Sequence, residues 1–204
     1  QGTADKRLSL EVHQTPPPPN PESPLRLSED PSSVTVTTGP LQFSVSKKSF
    51  TLFEKAFLDL NGDKQFLEEE KVADGGDLVI RFRGSDYRSS LDGEGYSLKV
   101  EELGPLRVAL KASGWFKNAE GKKFCQYQVR IQAFAGRSDV RIYHTFIYTG
   151  YPANIYHHEY KDVKGLPENE TIEEIAIEHS SPAQKEATYQ VGLPTQVLVP
   201  RSSW

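Results

Sequence analysis

Three groups of residues have types and spacings that could do chemistry. The first is Asp59-Leu60-Asn61-Gly62-Asp63, with Glu70 eleven positions after Asp59. Oxygens at the first, third, fifth and twelfth positions of a loop suit a hard cation such as calcium, because alternate side chains converge on one centre and the last carboxylate closes it. Such loops carry glycine at the sixth position, where Lys64 stands here, and no helix-like period flanks the segment. A calcium-bearing turn through Asp59, Asn61, Asp63 and Glu70 therefore stands beside a plainer reading, an Asx-type turn with solvated acids. No motif in the chain requires any other cofactor.

The second group is Arg107, Lys111, Trp115, Gln126, Gln128, Arg130, Gln132, Arg141 and Tyr143. On one surface these would offer guanidinium forks for carboxylates, amides for hydroxyls and aromatic planes for sugar rings, a set suited to an acidic polysaccharide. A solvated sheet face covered by its own long side chains is the plain alternative. The third group is Tyr143, His144, Tyr148 and Tyr151, then Tyr156-His157-His158-Glu159-Tyr160. A uronic-acid lyase needs a base for the proton beside the carboxylate, a cation or amide to neutralise that carboxylate, and an acid for the leaving oxygen; tyrosine and histidine can fill the proton-transfer roles. His157 and His158 are the candidate catalytic pair, whereas His144 shares the apolar alternation of Val140, Ile142 and Phe146 and reads as a hydrogen-bonded core histidine. No nucleophile elbow, phosphate loop or Cys/His dyad is present, and a His/His/Glu zinc site lacks a third ligand at suitable spacing.

The elements that must position these groups lie between Gly104 and Gly150. Leu106, Val108, Leu110 and Ala112 alternate with polar neighbours; so do Cys125, Tyr127, Val129, Ile131 and Ala133. Period-2 alternation of this length predicts strands with one buried and one wet face. Turn residues at 118–121 and 135–138 join the segments into an antiparallel meander. Residues 105–148 hold eight basic groups against Glu120 and Asp139, while the rest of the chain holds 16 basic against 26 acidic, for a net charge of −4. That sum excludes a bulk argument for nucleic acid, and the local excess favours an acidic partner. Cys125, the single cysteine, reads as a buried free thiol. No apolar run is long enough to span a bilayer and no charged-then-apolar leader is present, so no membrane partner is expected. A chain that begins at Gln1 and holds no methionine reads as a processed chain or an excised domain.

Arg7 to His13 alternates as one strand, and Thr15 to Pro24 then places six prolines in ten residues, an extended spacer. From Val34 the β pattern resumes at Val34–Thr37, Leu41–Ser46, Phe50–Leu60, Leu78–Phe82 and Tyr96–Leu103, with Gly84 to Gly95 as a loop and Phe66 to Val72 as a single helical turn. Thr171–Glu178, Ala187–Val191 and Gln196–Val199 close the chain. About ten short strands punctuated by Gly and Pro predict an all-β, antiparallel β-sandwich.

The segments VTTGPLQFSV (36 to 45), LFEKAFLDLNGD (52 to 63), GPLRVALKASGWF (104 to 116), YQVRIQAFAGRSDVRIYHTFIYTG (127 to 150) and LPENETI (166 to 172) together resemble the β-sandwich region of exo-rhamnogalacturonan lyase-like proteins. The resemblance implies a supersandwich-like fold within a three-part protein, with a small β-barrel before the sandwich and an α/α toroid after it. It implies residues 1–14 as the end of the preceding module, 15–32 as the proline-rich linker and 33–204 as the sandwich. It further implies β-elimination on an acidic, uronic-acid-containing polysaccharide outside the cytoplasm, in a secreted or periplasmic protein. Arg107, Lys111, Trp115, Gln128, Arg130, Arg141 and Tyr143 would hold the polymer, and the rest of the protein, the toroid included, would be the partner of this chain. A non-catalytic carbohydrate-binding or structural sandwich is the alternative.

Overall fold

The computed structural model describes residues 23–149 and 172–181. Twelve strands form there: β1 Arg26–Glu29, β2 Ser33–Thr37, β3 Leu41–Ser46, β4 Lys55–Leu58, β5 Lys71–Ala73, β6 Gly76–Phe82, β7 Ser85–Arg88, β8 Ser97–Leu103, β9 Arg107–Lys117, β10 Lys123–Phe134, β11 Val140–Ile147 and β12 Ile172–His179. Strands β1 to β5 make one antiparallel sheet in chain order. The second sheet runs β11-β10-β9-β7-β6-β12, with β8 paired to the first half of β9. The fold is thus an antiparallel β-sandwich, as the alternation predicts.

The core is what that alternation buries. Val34, Val36, Phe43 and Val45 face inward from the five-stranded sheet, and Leu78, Ile80, Val108, Leu110, Val129 and Ile131 face them from the seven-stranded one. Phe50 arrives from a loop, stacks on Tyr127 at 5.6 Å and lies 6.1 Å from Tyr96. Its carbonyl accepts from Ser89 Oγ at 2.9 Å, and the same hydroxyl lies 2.7 Å from the buried Asp77 carboxylate, so one small polar cluster links the two sheets. Cys125 is a buried free thiol, as expected, and sits at the β-bulge between Lys123 and Gln126.

Several boundaries differ from the sequence-based expectation. The sandwich starts before residue 33: Leu25 is buried in the core and β1 pairs with β2, within the stretch assigned to the proline-rich linker. The prolines hide this short alternation, and Pro24 instead packs against Gly39. Phe50–Leu60 is a strand only over Lys55–Leu58, because Leu52 takes a positive φ that breaks the extended run. The Gly84 to Gly95 loop contains β7, whose one apolar residue, Tyr87, packs on Phe124 at 5.4 Å. The expected helical turn is a one-turn 3-10 helix, Glu68–Glu70, that runs straight into β5. β12 docks as an edge strand on β6, tied there by Arg81 to Glu174 at 2.8 Å and Arg88 to Glu178 at 2.7 Å. Residues 1–22 and the expected strands Ala187–Val191 and Gln196–Val199 lie outside the described residues.

Candidate functional site

The register of β9, β10 and β11 decides which side chains share a surface. Arg130 stands opposite Lys111 on one side and Tyr143 on the other; Gln128 pairs with Ser113 and Thr145, and Gln126 with Trp115 and Ile147. Gln132 faces Arg141 and Phe134 faces Arg107. All seven residues predicted to hold a polymer therefore lie on one face, the outer face of the seven-stranded sheet, while Val108, Leu110, Tyr127, Val129 and Ile131 point into the core.

At the Trp115 end this face carries an open recess of about 230 Å³, lined by Gly95, Ser113, Gly114, Trp115, Gln126, Tyr127, Gln128 and Ile147. An indole, two amides, a hydroxyl and an aliphatic side chain are the inventory that stacks on a sugar ring and exchanges hydrogen bonds with its hydroxyls. Lys123 Nζ stands 5.6 Å from the Trp115 ring centre, and at the other end Arg141 lies over Phe134 at 5.3 Å. Tyr143 is half exposed.

Behind the recess lies a buried carboxylate that the sequence reading did not single out. β9 changes partner along its length, from β8 at Val108–Ser113 to β7 at Lys117, and Trp115 between them has no strand partner on that side among the described residues. Asp92 fills the gap, accepting from Trp115 N at 2.7 Å and Gly95 N at 3.0 Å while Lys117 Nζ stands 3.0 Å away. Burial alone would raise this carboxyl, but the Trp115 N–H, the Lys117 ammonium and the Gly95 N–H outweigh it and hold it below the ordinary aspartate value. A Cβ on Gly95 would come within 2.6 Å of the carboxylate, and one on Gly114 within 2.6 Å of Tyr127 Oη and 3.0 Å of Asp92, so both positions need glycine for this approach. The only sequence signal was the Asp92-Gly93-Glu94-Gly95 turn composition, which points to no partner.

The face also proves less purely basic than the residue count over 105–148 suggests. Glu101 and Glu102 on β8 fold onto it: Glu101 takes Arg130 Nε at 2.6 Å and Nη2 at 3.1 Å, and both oxygens of Glu102 meet Arg107 Nε, at 3.0 and 3.1 Å. Arg130 holds the Glu101 carboxyl below its usual value. Lys111, Arg130, Arg141 and Lys123 against one shared Glu101 still leave a cationic surplus.

His144 is turned to the core side near Phe116, as expected, and its Nε2 is buried with no hydrogen-bond partner among the described residues. Burial lowers its pKa and keeps the ring neutral. The Tyr127 hydroxyl is likewise buried and unpartnered among the described residues, and burial pushes it far above the usual phenol value, so it is no base. His157 and His158 lie outside the described residues.

The Asp59 to Glu70 loop belongs to the other sheet, between β4 and β5. Its oxygens are engaged by its own backbone: Asp59 accepts from Gly62 N and Lys64 N at 2.6 and 2.9 Å, Asn61 from Asp63 N at 2.8 Å, Asp63 from Gln65 N at 2.8 Å, and Glu70 from Leu60 N and Leu67 N at 3.1 and 3.3 Å. Lys64 adopts the left-handed conformation (φ 62°) that the sixth loop position requires despite not being glycine. Among the described residues no three His, Cys, Asp or Glu side chains are grouped to hold a metal ion. An Asx-type network accounts for the loop. The expected result of adding a chelator is therefore an unchanged melting temperature; a fall of several degrees would place a stabilising ion in the loop, since a ligand bound only by the native state must stabilise it.

Two comparisons bear on identity. Residues 25–157 match the family described as the PcRGLX-like protein central beta sandwich domain. No curated protein matches the chain.

Proposed function

Since the chain belongs to the family of PcRGLX-like central beta sandwich domains, which are rhamnogalacturonan lyase-like, we propose that its outer sheet face binds an acidic, uronic-acid-containing polysaccharide in an extracytoplasmic lyase. The observation that carries this reading is the register that gathers Arg107, Lys111, Trp115, Gln128, Arg130, Arg141 and Tyr143 onto one surface beside the Trp115 recess. Cations on this face neutralise uronate carboxylates, the amides of Gln126 and Gln128 meet ring hydroxyls, and Trp115 stacks on a pyranose. Neutralising the carboxylate also acidifies the neighbouring C–H, which is the part of a β-elimination that a cationic scaffold supplies. His157 and His158, on the chain that leaves β11, are the proposed proton-transfer pair, and the sandwich contributes scaffold and groove to a protein whose other domains, a toroid among them, complete the site.

A binding-only sandwich is the second reading. It is favoured by one observation: the buried phenols Tyr96 and Tyr127 are both pushed up by burial, away from any use as a base. Incubation of the protein carrying all its domains with rhamnogalacturonan and with polygalacturonate, following the ultraviolet absorbance of unsaturated uronide, separates the two. A rise that His157→Ala and His158→Ala abolish is the expected result for the lyase; retained binding with no rise assigns the chain to binding alone.

A further inference from the structure

Consecutive residues of a strand point to opposite faces, yet Glu101 and Glu102 both lie on the outer face. The cause is a bulge: Val100 pairs with Leu110 and Glu102 with Ala109, so two residues of β8 stand against one step of β9. A bulge of this kind re-aims a side chain. Here it sets two adjacent carboxylates against two arginines, Glu101 on Arg130 with Lys111 Nζ at 3.7 Å, and Glu102 on Arg107. A carboxylate held across a guanidinium fork is also how arginine recognises a carboxylate of any ligand.

We infer that Glu101 and Glu102 are built-in stand-ins for the polymer's own carboxylates: they occupy the two carboxylate seats of the outer face in the unbound protein, and the bound polymer displaces them. The inference rests on the reading of this face as the polymer surface and adds how that surface selects. The pairs are accessible, with side chains 32% and 37% exposed for Glu101 and Arg130, and 42% each for Glu102 and Arg107. Exposed pairs are held weakly, so exchange is feasible. Arg107 lies four residues from Lys111 along β9, and Lys111 is opposite Arg130, which sets the two arginine backbones about 13 Å apart along the strand; the seats lie within that distance, in reach of two adjacent glutamates. A ligand that replaces both glutamates must carry carboxylates within that span. The face therefore discriminates against monouronates in favour of a polyanionic chain, and without the glutamates it would bind more tightly and less selectively.

The test measures affinity for polygalacturonate and for monomeric galacturonate across a range of salt, using the whole chain. Glu101→Gln is expected to tighten polygalacturonate binding roughly threefold to tenfold and to steepen its salt dependence, while Glu69→Gln, remote on the other sheet, changes neither. The gain should vanish when Glu101→Gln is combined with Arg130→Gln but persist when it is combined with Lys55→Gln on β4 of the other sheet, which restores the same net charge; a general charge effect would lose it in both. Glu102→Gln repeats the test at the other seat should Glu101→Gln lower the melting temperature. If wild type binds polygalacturonate and both glutamine variants bind equally or more weakly, the glutamates only position the arginines; the stand-in role is then overturned and the binding face survives. If neither wild type nor any variant binds, both the face and the stand-ins fall.

Discussion

Replacing Asp92 by alanine is expected to destabilise the domain by about 3–5 kcal/mol, the usual consequence of removing one partner of a buried ion pair. For a domain of this size that lowers the melting temperature by roughly 10 °C. Asp92 is fully buried and serves three donors at once: Trp115 N–H, Gly95 N–H and the Lys117 ammonium. Without it two backbone donors and one cation lose their acceptor at the point where β9 has left β8 and has not yet met β7. Asp92→Asn keeps an oxygen for one N–H and should fall between alanine and wild type.

The acid dependence follows from the same contacts. The folded-state value of Asp92 lies below the unfolded value of 3.8, so its contribution is complete above about 3.8 and is lost as pH falls from there through the lowered value. Wild type should therefore lose stability on acidification below pH 4 more steeply than Asp92→Ala, measured by denaturant unfolding at a series of pH values. Parallel pH curves for the two proteins would remove Asp92 from this role. Because Asp92 also fixes the backbone of Trp115, the variant should bind polymer more weakly even at temperatures where it is folded.

The second large effect is at the recess. Trp115→Ala is expected to raise the dissociation constant for polygalacturonate at least about tenfold, the scale on which a central aromatic anchor contributes to binding. The melting temperature should move little, because the indole lies on the outer face and not among the core side chains. A loss confined to Arg141→Ala, with Trp115→Ala unchanged, would put the contact at the opposite end of the face and leave the recess without a role.

What can be read from the chain is set by local pattern. The β9–β10–β11 meander and its outer residues were legible because three long alternating runs separated by turn residues leave one choice of register, and that register alone places Arg107, Trp115, Arg130 and Tyr143 together. The Asp59-Asn61-Asp63 turn was legible as a turn for the same reason: its hydrogen bonds reach only two to five residues along the chain. What was not legible depends on distant partners. β7 has one apolar residue and is held by pairing with β6 and by Arg88 to Glu178, ninety positions away. The bulge that turns Glu101 and Glu102 onto one face leaves no mark in a strand that otherwise alternates, so their pairing with Arg130 and Arg107 was hidden. Asp92 looked like one more turn aspartate, because its partner Trp115 N–H is 23 residues on.

The most direct test uses the two tryptophans, Trp115 and Trp204. In Trp204→Phe the fluorescence comes from Trp115 alone, and titration with polygalacturonate is expected to quench or shift that emission along a saturable curve matching an independent affinity measurement. Polymer binding of undiminished affinity with Trp115 emission unchanged from start to saturation would contradict the assignment of the outer face as the polysaccharide surface.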